Sequence, residues 1–207
     1  RAAVLASLLG GTLVRRRGAI RVSEFGVALC AIGLLLCAVP WLPAVALGAL
    51  CIGAGYGPIK PASSHLLALT TSAPRMALVF SIKQTGVPAG GMLAGALVPG
   101  LSLWLGWQGT LAVVAGVCAV CAVLSQPLRA ALDADRQPSQ ALALGALFRP
   151  VGMVLGHRSL AVLAACSFLF SAVQVSVTAY MVTYLNGSLG MTLLAAGAAL
   201  SVSQLAG

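Results

Sequence analysis

Lys60 stands in the middle of an apolar run, Leu42–Leu69, nine residues from the end of that run. At 1.5 Å of rise per helical residue, this places it about 13 Å from the helix end. An ammonium at such depth is costly in hydrocarbon unless it is paired or faces water. Tyr56, Lys60, Ser63 and Ser64 share one helical face, a polar stripe suited to a cavity wall. Two readings stand for Lys60: a cation that attracts an anionic solute, or a lysine that snorkels or is held by a structural partner. Lys83 lies seven residues past Met76, about 10 Å in, and reaches an interface more easily. Solute contact, gating and anchoring are all open to it. Ser171, Gln174 and Thr178 follow Ser167 at spacings of four, three and four, which sets them on one face. Such groups line a cavity or hold helices together. Two further groups are candidates for relaying a proton: His65, near the end of its run, and Glu24, at the edge of another. For Glu24, three residues after Arg21, an interfacial ion pair is the alternative.

The elements that must position these groups follow from composition. The chain has 207 residues, 60% hydrophobic and 7% charged, with a mean hydropathy of +1.03. Soluble domains carry about 25% charged residues. Fifteen charges, twelve basic and three acidic, cannot solvate a globule of this size. A soluble enzyme, a disordered chain and a disulfide scaffold are therefore excluded, and an all-α polytopic membrane protein remains. The six cysteines all lie in apolar runs and read as small free thiols, including the Cys118/Cys121 pair. The sequence shows no metal-ligand cluster, nucleophile–base pair or paired carboxylates, so it offers neither a metal site nor a cofactor site and does not read as an enzyme. The +9 net charge sits between membrane-length runs without interleaved aromatics, which argues for the lipid bilayer as partner and against nucleic acid.

Apolar runs of membrane length occur at Val22–Val39, Leu42–Leu69, Met76–Leu103, Gln108–Leu128 and Leu160–Leu185. Ala2–Val14 and Met191–Gly207 read as truncated spans, so the chain, which opens at Arg1, reads as an internal fragment. Arg15, Arg16, Arg17 and Arg21, then Arg75, then Arg129, Arg136, Arg149 and Arg158 occupy alternate loops, and the intervening loops are uncharged. By the positive-inside rule the arginine-rich loops are cytoplasmic. Trp41, Trp104, Trp107 and Tyr184 form an aromatic belt on the opposite side. The long loop 129–158, with an apolar interfacial stretch at 141–155, divides a front block from a second block. Gly53/Gly57, Gly86/Gly90 and Gly91/Gly95 are small-xxx-small pairs that let helices approach closely.

Three segments carry a family resemblance. Gly11-Thr-Leu-Val-Arg-Arg-Arg-Gly18 resembles the signature loop between helices two and three of the major facilitator superfamily. Gly53-Ala-Gly-Tyr-Gly-Pro58, followed by Pro61, resembles that family's fourth helix, and Arg75 through Gly95 its fifth. The resemblance covers the whole chain, from late helix two to early helix eight. It implies an MFS-like helical bundle seen in part: 1–128 as most of the N-terminal half (helices two to six), 129–158 as the central cytoplasmic loop, and 159–207 as the start of the C-terminal half. It also implies a gating role for Gly11, Arg15, Arg16, Arg17, Gly18 and Arg75. The sequence departs from the family loop at Arg15, where the family carries an Asp that helps latch the cytoplasmic gate, and at Ala19 and Ile20, which are often basic.

The family consists of secondary transporters built from two six-helix halves that rock around a midplane site. The expectation is therefore a transporter of a small anionic organic solute, working by alternating access and coupled to an ion, by analogy a proton, in a bacterial inner membrane. The alternatives are drug or metabolite efflux, and a non-transporting membrane subunit.

Overall fold

The computed structural model describes residues 2–133 and 149–206. Among them all regular structure is helical. The helices are α1 (Ala2–Arg17), α2 (Ala19–Cys37), α3 (Leu42–Thr70), α4 (Met76–Ser125), α5 (Arg129–Leu132), α6 (Arg149–Gly156), α7 (Arg158–Gly187) and α8 (Leu193–Ala206). Arg136 and the first part of the 141–155 stretch lie outside the described residues. Four helical stretches are long and apolar enough to cross a membrane: Ala19–Cys37, Leu42–Thr70, Ala73–Leu132 and Arg158–Gly187. The third is two spans in one. Gly106, at φ 69 and ψ 173, breaks α4 into an arm of residues 76–105 and an arm of residues 107–125. Helices are what these runs must form, because in hydrocarbon each backbone N–H and C=O has to be satisfied within its own segment.

The helix ends follow from local chemistry. α1 closes on Arg15, Arg16 and Arg17, cations that suit the negative end of a helix dipole. Gly18 then takes φ 97, a left-handed conformation open to glycine, and α2 begins at the next residue. α3 has proline in its first turn, where the missing N–H costs nothing, and also contains Pro58 and Pro61. The inner prolines deprive two carbonyls of their helical partners. Pro61 is used in packing: a Cβ built on Gly10 of α1 would lie 2.7 Å from its Cγ.

The described residues form two compact units, 2–80 with 107–133, and 81–106 with 149–206. In the first, α2 and α3 touch backbone to backbone at two levels. A Cβ on Gly26 would stand 2.5 Å from the Gly55 carbonyl, and one on Gly33 would stand 2.7 Å from the Gly48 carbonyl. Gly57 seats α3 against Ala3, Ala6 and Ser7 of α1. Val14, Ala19, Val22 and Ala62 form a small core where α1, α2 and α3 meet, with Leu13 and Leu66 packed on it.

In the second unit the 76–105 arm contributes Gly95, which faces the Gly197 carbonyl of α8 at 2.7 Å from a hypothetical Cβ. The Ser201 hydroxyl donates across the same contact to the Met92 carbonyl at 2.9 Å. These two features should respond differently to mutation. Gly197→Leu has to drive Gly95 and Pro99 away and should cost about 3 kcal/mol or more, as overpacking does. Ser201→Ala should cost about 0.6 kcal/mol, the usual worth of an interhelical membrane hydrogen bond. Thermal melts of the purified protein in detergent will separate the two.

Candidate functional site

The polar stripe of α3 is present as a surface. Tyr56 and Lys60 are exposed, and Ser63 and Ser64 are half-buried. One helical turn separates Tyr56 from Lys60, so the lysine folds back and its Nζ lies 5.5 Å from the tyrosine ring centroid. That is a cation–π distance, worth about 0.5–1 kcal/mol at an exposed site. The Ser63 hydroxyl donates to the Lys60 carbonyl at 3.0 Å, a local bond that leaves the lysine head unaffected. Among the described residues the Lys60 ammonium is in no ion pair; the acids there, Glu24 and Asp133, are engaged elsewhere.

Glu24 is 5% exposed and pairs with Arg129, the residue that opens α5. The Ser125 hydroxyl adds a bond to the same carboxylate at 3.2 Å. Arg21, its expected partner, is exposed. The carboxylate is taken instead by Arg129, which the end of the 107–125 arm brings onto it. Asp133, 6% exposed, accepts from the backbone N–H of Ile20 at 2.8 Å and of Arg21 at 3.1 Å. It thus caps the first turn of α2, which has no cap from its own neighbouring side chains. Gly18 lies directly under this carboxylate, and any Cβ there would collide with it. His65 and Leu66 of α3 close a small cavity with Gly18 and Asp133. Arg15, Arg16, Arg17 and Gly11 of the signature loop are exposed, as is Arg75 in its own short turn.

The first unit also holds a groove of about 930 Å³ between α2 and the 107–125 arm. Its walls are small and apolar, with Ala28, Ala31, Ala115 and Gly116 among them, and one end carries Arg17, Arg21, Glu24 and Arg129. The α3 stripe does not line it.

The second unit carries the remaining candidates. Ser171 and Gln174 are exposed on α7, and Thr178 is half-buried. The Thr178 hydroxyl donates to the Gln174 carbonyl at 2.8 Å and accepts from Gln204 Nε2 of α8 at 3.2 Å. Gln204 also covers Gly91, so it ties α8 to both α7 and the 76–105 arm. Sequence reasoning missed Gln204; the signal available was an amide eleven residues into an apolar helix. Lys83 is half-buried and has an interaction partner. Of the paired glycines, Gly57, Gly91 and Gly95 meet neighbours, Gly86 and Gly90 face open space, and Gly53 is half-buried. Among the described residues no three His, Cys, Asp or Glu side chains come together as a metal site would need.

Residues 2–207 match the sequence model of the Major Facilitator Superfamily. The chain belongs to the major facilitator superfamily. No curated protein matched the chain in its own right. Membership in this superfamily makes the chain part of an integral, multi-pass membrane protein with a general transporter function, and the superfamily is one of transporters rather than enzymes.

Proposed function

We propose that this superfamily member moves a small anionic organic solute by alternating access, with proton coupling. The observation that carries the sign of the solute is Lys60: a mid-helix ammonium, exposed, resting on Tyr56, with no carboxylate partner among the described residues. A cation in the middle of an apolar span without a counter-charge is stabilised when an anion binds. Within the second unit, Ser171, Gln174 and Thr178 are the polar candidates on α7, and Lys83 is a further cation. His65 is the candidate proton carrier, since Glu24 is committed to Arg129. The arginine-bearing loops face the cytoplasm, residues 1–128 and 159–207 belong to the two halves, and the membrane is a bacterial inner membrane.

The test is uptake of labelled mono- and dicarboxylates by the full-length protein in proteoliposomes. Uptake should stop when a protonophore removes the pH gradient. Lys60→Gln should weaken the apparent affinity for the solute roughly tenfold or more, the loss of one charge-assisted contact worth about 1.5–3 kcal/mol. Anion uptake that is unchanged in Lys60→Gln, or transport confined to cations, would remove the reading.

A further inference from the structure

Arg129 and Asp133 are four residues apart, one helical turn, in the short element that follows the 107–125 arm. Ile20, Arg21 and Glu24 span one turn at the start of α2. The two turns meet in register. The Asp133 carboxylate takes the Ile20 and Arg21 N–H groups, and the Arg129 guanidinium takes the Glu24 carboxylate. Each contact is complementary, an anion on the positive end of a helix and a cation on a buried acid. Both acids are desolvated, at 5% and 6% exposure, so losing either partner leaves a buried charge exposed to nothing but protein. Asp133 also reaches the first turn of α2 from 113 residues away in sequence.

We infer that Arg129 and Asp133 form a clasp that keeps the arginine-bearing end of the first unit closed to water, and whose release opens it. Beneath the clasp lie the small core of Val14, Ala19, Val22 and Ala62 and the cavity that His65 shares with Asp133. The clasp is held by charge and hydrogen bonds at the edge of the unit, and the Arg129 side chain is 41% exposed, so water and other ions compete for it directly. Such contacts open at lower cost than an interlocked apolar core. Arg129 and Asp133 are positioning residues in this scheme; neither has to touch solute. The inference does not depend on which solute is carried, or on whether it is an anion.

The experiment uses the full-length protein in native membranes, with the six cysteines of this segment replaced by serine. Ala62→Cys, at a position 0% exposed, reports opening through its rate of reaction with N-ethylmaleimide. Ala44→Cys, 7% exposed near the other end of α3, reports general unfolding. Asp133→Ala and Arg129→Ala should each raise the rate at position 62 about tenfold and leave position 44 unchanged, the pattern of a local opening. An unchanged rate at 62 would overturn the clasp. Equal increases at both positions would overturn it as well, because the two residues would then support the whole unit and not one end.

Discussion

Gly55→Leu should fail to accumulate as a folded protein. The Gly26 and Gly55 carbonyls each occupy the space where a Cβ on the other would go, and a Cβ on Gly26 would be 2.5 Å from oxygen. The obstacle is backbone, so no rotamer change relieves it. The same helix pair meets again at Gly33 and Gly48, which prevents α2 and α3 from sliding apart at one level without losing the other. Overpacking in a soluble core costs about 1–3 kcal/mol, and a clash with a pinned backbone belongs above that range. A marginally stable membrane protein does not survive such a loss. Gly11→Leu is the matched control, since a Cβ there meets nothing within 4 Å. Fluorescence-detected size-exclusion profiles of the two variants should show aggregated material for Gly55→Leu and a normal peak for Gly11→Leu. A normal peak for both would mean that α2 and α3 do not cross at these glycines.

The second large effect is at Gly18, where strain and contact combine. Alanine at φ 97 is strained by about 1–3 kcal/mol. Its methyl group would also push Asp133 off the Ile20 and Arg21 N–H groups, forfeiting charge-assisted bonds worth about 1.5–3 kcal/mol. These costs are separable. In an Asp133→Ala background only the backbone strain remains, so Gly18→Ala should be milder there by about 1–2 kcal/mol, a coupling typical of residues in contact. A double-mutant cycle on thermal stability measures it. Strict additivity would show that the carboxylate does not sit over Gly18.

The spans were legible because hydropathy and the absence of solvating charge leave helices as the one permissible answer. The division of Met76–Ser125 was legible too, since the uncharged Leu105–Trp107 stretch falls where Gly106 breaks the helix. Arg15, Arg16 and Arg17 marked the end of α1 for the same reason that they mark a loop. The glycines were less readable. Spacing of four along one helix is necessary for a close crossing, but the partner helix decides whether one occurs. Gly86/Gly90 have the spacing and face open space, while Gly26, Gly33, Gly48 and Gly55 carry the main contact. The Asp133 cap was hidden because its partners are backbone N–H groups 112 and 113 residues away. A chain with three acids, one of them a helical turn from Arg129, offered a hint in retrospect. Glu24 went to Arg129 instead of Arg21 because the fold brings a residue 105 positions away onto the carboxylate, which proximity in sequence does not reveal.

The joint at Gly106 has a practical consequence. Two membrane-length arms are linked by one residue, whose φ 69 and ψ 173 fall in a region essentially closed to side-chain-bearing residues. A protease needs several extended residues in its cleft, and a genetically inserted tag needs slack on both sides. Neither is available at that joint. Proteolytic nicking and epitope insertion should therefore be silent there even if the joint faces the added reagent, and a negative result would be misread as burial. Mapping which side of the membrane holds this turn calls for a small probe, such as a single cysteine at the 90% exposed Trp104, whose reaction needs no unwinding of the chain.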